Sequence, residues 1–130
     1  MGVGVIHRRS RTRKRRKGKR ASLARQADAL WGQIVRRNGY CEDCGSNQFL
    51  QAAHGFSRRY RGTRWLPING FCLCRGCHKR WTHDPLGWTA WLKDQWGVGV
   101  YDELELCARA VTKPDLADTV ARLLKEFMSR

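Results

Sequence analysis

A chain of 130 residues with 42% hydrophobic content has room for one small domain, whose core is thin enough to need help from a staple such as a metal. The net charge of +15 points to a polyanionic partner, and it is uneven: ten of the 26 Lys and Arg fall in residues 1–20 with no acid, while the other sixteen face all 11 acids, a net of +5. MGVGVIH runs at once into arginines, with no apolar run of signal-peptide or membrane-spanning length, so the expectation is a cytoplasmic protein with no membrane partner.

Residues 1–20 carry RRSRTRKRRKGKR, which has no apolar periodicity and repels itself when compacted, so they are expected to form a disordered arm until they meet a polyanion. From Leu23 the pattern becomes helical: Leu23, Ala27, Leu30, Trp31, Ile34 and Val35 recur at a period near 3.6, and Asn38-Gly39 supplies the stop. A strand is expected over 49–54, then the arginine-rich loop GFSRRYRGTR, a second strand over 70–73, and a turn into a short helix through His78. Asp84-Pro85 fits an N-cap followed by proline at the first helical position, opening a helix over 86–96 that stops at Gly97-Val98-Gly99. A further helix is expected over 101–111, and a last one from near Pro114 with Leu116, Val120, Leu123, Leu124 and Phe127 on one side. The tryptophans are most simply core. Three segments result: the arm 1–20, a core 21–97, and a helical extension 98–130 packing on it.

Cys41-Glu-Asp-Cys44-Gly45 and Cys74-Arg-Gly-Cys77 are two C-x-x-C units. Two sulfurs at that spacing bind one tetrahedral ion from a tight turn, and a glycine within or just after each unit permits the positive φ such turns use. Four thiolates around one structural Zn²⁺ is therefore the expected arrangement. A redox C-x-x-C does not explain a matched second pair. Cys72 points to the opposite strand face or competes with Cys74 as a ligand, and Cys107 is expected as a buried free thiol on an apolar helix face.

The zinc clasp brings His54, the arginines and Asn69 into one hairpin and fixes His78 beside it. AAHGFSRRY, the Asn69 of LPINGFCLC, and CRGCH together resemble the HNH, or ββα-metal, nuclease family in its four-cysteine version; the run from AHGFSRRYRGTRW to LCRGCH is also similar to phage recombination nucleases of the NinG (Rap) type. The resemblance implies an α+β fold with a small zinc-stabilised ββα-metal core and flanking helices. It also implies a metal-dependent DNA endonuclease, phage-encoded and active in the host cytoplasm on duplex or branched DNA during recombination or processing. Carried over by position, His54 is the general base, Asn69 holds the hairpin and keeps the imidazole oriented, and His78, with His83, ligates a catalytic divalent cation such as Mg²⁺ or Mn²⁺. The position before His54, which the family fills with Asp or His, holds Ala53, and Thr82 stands four residues after His78 where the family often has a second histidine.

Each residue also has a plainer role. His54 fits a satisfied core histidine, Asn69-Gly70 a hairpin turn, and Arg58, Arg59, Arg61 and Arg64 either a solvated face or a phosphate-gripping loop. The alternative function is a non-catalytic zinc module that binds nucleic acid. A zinc nucleobase deaminase is excluded, because it needs His-x-Glu and His54 is followed by Gly55-Phe56.

Overall fold

The computed structural model describes residues 2–129, with side chains from residue 11 onward. The described residues form α1 (Gly2–Arg36), β1 (Leu50–His54), α2 (Arg61–Arg64), β2 (Gly70–Cys74), α3 (Arg75–Thr82), α4 (Pro85–Trp96), α5 (Val98–Arg109) and α6 (Leu116–Met128), with a 3-10 turn over Pro67–Asn69 before β2. The class is α+β, mostly helical, with one antiparallel pair of strands.

The register pairs Leu50 with Cys74, Ala52 with Cys72 and His54 with Gly70. Because successive strand residues point to opposite faces, Ala53, Phe71 and Leu73 share one face, and Ala52 and Cys72 the other. The first face packs with Leu92, Tyr101 and the indoles of Trp81, Trp88, Trp91 and Trp96. Ala52 joins the second cluster, which is built on Ala27, Trp31 and Val35 of α1, Trp65, and Leu123 of α6. Leu73 and Cys72 are completely buried, and a leucine so placed contributes roughly 1.5–3 kcal/mol. The thin sheet is thus stabilised from both sides.

The tryptophans are core, as expected, and their N–H groups have work as well. Trp31 donates to the Leu66 carbonyl at 2.8 Å, Trp88 to that of Gly55 at 2.9 Å and Trp96 to that of Ile68 at 3.2 Å. Buried indoles need such a partner. All three acceptors lie in the connection between β1 and β2, so the ring system that forms the core also fixes the loop where the arginines sit.

Several expectations are corrected. The basic residues read as a disordered arm continue α1 upstream; arginine and lysine are good helix formers, and a helix anchored at Ala27, Trp31 and Val35 extends without a new nucleation step. The arginine-rich loop contains α2, one turn long. Gly97 alone, at φ +81°, separates α4 from α5, which starts at Val98. Cys107 is exposed, because the buried stripe of α5 is Tyr101, Leu104 and Ala108. On α6 the inward residues are Leu116, Thr119, Val120 and Leu123, while Leu124 and Phe127 face outward.

Gly62, in α2, approaches α5 so closely that a Cβ there would collide with the Cys107 carbonyl. Backbone cannot step aside as a side-chain end can. Gly62→Ala is expected to destabilise the chain by about 1–3 kcal/mol through overpacking, read as a lowered denaturation midpoint with an unchanged denaturant slope; an unshifted midpoint would mean that α2 and α5 part at no cost.

Candidate metal centre and active-site cleft

The metal centre begins with two turns. After α1 the chain reverses through Gly39 at φ +79°, and the Cys41-to-Cys44 unit closes with the Gly45 N–H donating to the Cys41 carbonyl at 2.8 Å. Gly45 has φ +80°, the left-handed conformation expected of it. The second unit is built differently: Cys74 ends β2 and caps α3, its sulfur accepting the Cys77 N–H at 3.5 Å, so Gly76 sits in a helix and needs no positive φ. The Cys41 sulfur likewise accepts the Cys44 N–H at 3.4 Å. Each unit therefore turns a backbone donor onto its first sulfur.

The sulfurs of Cys41, Cys44, Cys74 and Cys77 all lie within 4.8 Å of one another, with Cys44 and Cys74 3.6 Å apart. Four sulfurs about 2.3 Å from a central tetrahedral ion stand about 3.8 Å apart, so the set is placed to hold a metal ion such as zinc. The electrostatics of the thiols point the same way. Burial pushes the Cys41 thiol up, but backbone N–H groups around it, from Cys44, Cys74 and Asp43, outweigh burial and bring it down to about 6. Burial and the adjoining thiols push Cys77 far up, because four adjacent sulfurs cannot ionise together without a cation. Cys72 belongs to the buried sheet face and not to this set. Glu42 takes its edge instead, accepting the Cys72 N–H at 2.6 Å and donating its own N–H to the Cys72 carbonyl at 2.7 Å. Burial pushes the Glu42 carboxyl up.

Beyond the sheet lies a cleft of about 430 Å³, lined by Ala53, His54, Gly55, Ser57, His78 and Thr82 among others. His54 ends β1. A carbonyl only accepts, so the Nε2–H of His54 must donate to the Arg64 carbonyl at 3.1 Å, which leaves Nδ1 with its lone pair. The ring is stacked on Trp31, centroids 3.9 Å apart and planes 12° from parallel. Burial is the largest influence on this imidazole and pushes its pKa below 6.5, against the Arg64 carbonyl and Asp28, which favour the proton. His54 is therefore neutral at neutral pH.

His78, in the middle of α3, faces β1: its Nδ1–H donates to the Gln51 side-chain oxygen at 2.7 Å, leaving Nε2 free to ligate. Burial pushes its pKa down too. Asn69 is completely buried and grips the loop at Phe56 twice, its side-chain oxygen accepting the N–H at 2.8 Å and its amide donating to the carbonyl at 3.0 Å. It sits in a 3-10 turn and not in a two-residue hairpin turn, and its side-chain hydrogen bonds go to Phe56 and not to the imidazole. His83 does not join the cleft. It is the exposed residue after α3, and Thr82, four residues from His78, occupies the cleft-lining position; residues four apart share a helix face and residues five apart do not.

The four arginines divide. Arg58, Arg59 and Arg61 are exposed. Arg64 is not: its guanidinium is clamped by Asp28, Nη2 to Oδ2 at 2.7 Å and Nε to Oδ1 at 3.2 Å, with only 17% of its side chain exposed. Sequence reasoning missed Asp28, Trp31 and Gln51. Asp28 and Trp31 are one turn apart on α1, and Gln51 shares a strand face with Ala53 on β1, but only the tertiary fold shows which ring each one meets.

Fold and site define a small α+β chain, mostly helical, with a four-cysteine cluster placed to hold a metal ion such as zinc. Comparison of the chain with protein-family models, curated proteins and solved structures finds no match. Among the described residues, no helix is long and apolar enough to cross a membrane.

Proposed function

We propose that this chain is a metal-dependent DNA endonuclease of the HNH type, with one structural zinc on Cys41, Cys44, Cys74 and Cys77. The observation that carries the reading is the pair of imidazoles lining one cleft, each with one nitrogen's proton committed to a protein oxygen and the other nitrogen left as a lone pair. Hydrolysis of a phosphodiester needs a base at neutral pH, and a neutral histidine whose tautomer is fixed is suited to that role. His54 Nδ1 takes the proton of the attacking water. Asn69 keeps the following loop in place, and Trp31 and the Arg64 carbonyl hold the ring.

A divalent cation, when bound, would stabilise charge on the phosphate and on the departing oxygen. His78 Nε2 fits one position in its shell; Ala53 offers no ligand, and the Thr82 hydroxyl is donated to the His78 carbonyl at 2.8 Å. Water and phosphate oxygens would therefore have to supply the remaining ligands. Arg58, Arg59 and Arg61 grip the DNA backbone beside the cleft, and the exposed basic residues of α1 extend that surface. Products would carry a 3′-hydroxyl and a 5′-phosphate, in keeping with a phage enzyme of DNA recombination or processing.

Ala53 favours one rival, a zinc module that binds nucleic acid without cutting it. Plasmid and branched DNA incubated with Mg²⁺, Mn²⁺ or Ni²⁺ decide between them: cation-dependent nicking supports the nuclease, and no cleavage under any of these conditions supports the binding module. The basic half of α1 gives a second test. Removing residues 1–20 takes away ten positive charges, and the salt slope of log K is expected to shrink by about 0.9 for every phosphate that is no longer neutralised, while cleavage at saturating DNA survives. An unchanged salt slope would mean that this part of α1 does not touch the backbone.

A further inference from the structure

Three consecutive residues downstream of the cleft, 64, 65 and 66, are all tied to α1. Asp28 accepts from the Arg64 guanidinium through both oxygens, at 2.7 and 3.2 Å, and its Oδ1 also accepts the Trp65 indole N–H at 2.8 Å. Trp31 donates its own indole N–H to the Leu66 carbonyl at 2.8 Å. The carbonyl of Arg64, the first of the three, holds the Nε2 proton of His54, and the Trp31 ring lies flat on that same imidazole. One helix therefore meets His54 by two routes: directly through a ring face, and indirectly through the peptide that accepts the ring's proton.

A core that merely needed filling would not require this arrangement. Trp31 is 3% exposed and would satisfy the cluster as an apolar ring alone, while Asp28 is a charge whose side chain remains 34% exposed. What the two share, one turn apart, is the geometry of His54. Resting on the reading of His54 as the base, we propose that Asp28 and Trp31 are positioning residues. Trp31 sets the plane of the imidazole. Asp28, by clamping Arg64 and Trp65, sets the position of the carbonyl that keeps the proton on Nε2 and the lone pair on Nδ1.

Rate is sensitive to such placement, since a displacement of about 1 Å can cost as much as about a hundredfold. Asp28→Asn keeps an oxygen for the Trp65 indole and loses the paired clamp on Arg64. Trp31→Phe keeps an apolar ring and loses the bond to Leu66. Each is expected to lower kcat by roughly ten- to a hundredfold with the zinc content unchanged; KM for DNA should stay the same in Trp31→Phe, whereas Asp28→Asn also removes the carboxylate 3.9 Å from Arg58 and is therefore read on kcat alone. In a His54→Ala background neither substitution should lower the residual rate further, because their effect passes through the ring.

A readout independent of cleavage is the ¹⁵N spectrum of the His54 imidazole. The wild-type protein is expected to show the Nε2–H tautomer alone, and Asp28→Asn a mixture of tautomers. In Trp31→Phe the ring resonances should lose the shift that the indole ring current imposes. Two results would overturn the proposal: unchanged kcat and an unchanged tautomer in both variants, or rate losses that persist in full without His54. A wild-type protein that cuts no DNA but shows the tautomer change would refute the hydrolytic reading and leave the positioning role standing. If either variant proved unfolded by circular dichroism, Arg64→Lys, which keeps the charge facing Asp28 and removes the fork, takes its place under the same outcomes.

Discussion

On the proposal that the four cysteines hold one structural zinc, Cys77→Ser is expected to leave the chain without a cooperative unfolding transition and to abolish the binding of about one zinc ion per chain. Cys77 is buried in the cluster that also contains Phe71, Leu73 and Leu92, so the metal centre and the larger core are one body. Structural zinc supplies roughly 10–16 kcal/mol of apparent binding free energy in small zinc-finger domains, comparable with or larger than the whole stability of a domain this size, roughly 5–15 kcal/mol. Removing one of four ligands therefore removes more than this fold has to spare. Cys107→Ser is the control: its thiol is exposed and outside the cluster, and the melting curve and zinc content should not move.

Zinc binding requires thiolates, so it competes with protons. Cys41, brought to about 6 by its backbone donors despite burial, is already ionised at neutral pH, while burial and the adjoining thiols push Cys77 up, so a bound metal would have to displace its proton. Affinity should then fall as the medium is acidified, and chelator should unfold the protein more readily at lower pH. Measurement of zinc content together with circular dichroism checks both. A Cys77→Ser protein that melts cooperatively without metal would show that the hydrophobic clusters suffice.

How much of the fold and the site is legible in the sequence depends on the range of the interaction. The two C-x-x-C units and the Asp84 cap are local: Asp84 accepts the Gly87 N–H at 3.0 Å, as the Asp-Pro pair implies. The strands and the helix through His78 are visible for the same reason. Arg64 is not separable from Arg58, Arg59 and Arg61, because a loop pattern does not reveal the single turn of α2 that directs one guanidinium to Asp28, 36 residues away. Cys107 misleads because an apolar stretch is not an apolar face; Tyr101, Leu104 and Ala108 define the face, and 107 falls one position beside it. The basic segment misleads in the opposite sense, since self-repulsion there is opposed by the anchored helix downstream.

On the proposed nuclease mechanism, His54→Ala carries the largest expected effect on activity, a fall of roughly 10²–10⁴ in cleavage rate, the range typical of a lost general base. Zinc content and DNA affinity should stay near wild type, because the four sulfurs and the exposed arginines belong to other parts of the chain. His78→Ala should act differently and raise the Mg²⁺ or Mn²⁺ concentration needed for activity. The pH profile then tests the base directly. Burial, the largest influence on His54, moves its pKa below 6.5. The rate should rise with pH through a midpoint below 6.5, about tenfold per unit on the acid side, and be flat by neutrality, since only the unprotonated ring accepts a proton. The same shift affects stability. The unfolded chain binds a proton on this histidine at higher pH than the folded chain does, so stability rises with pH through that window and falls as pH drops below 6.5. Circular dichroism at each pH separates loss of the base from loss of the fold. Undiminished cleavage by His54→Ala, or a wild-type rate that does not change between about pH 5 and about pH 8 while the protein stays folded, would remove His54 from the mechanism.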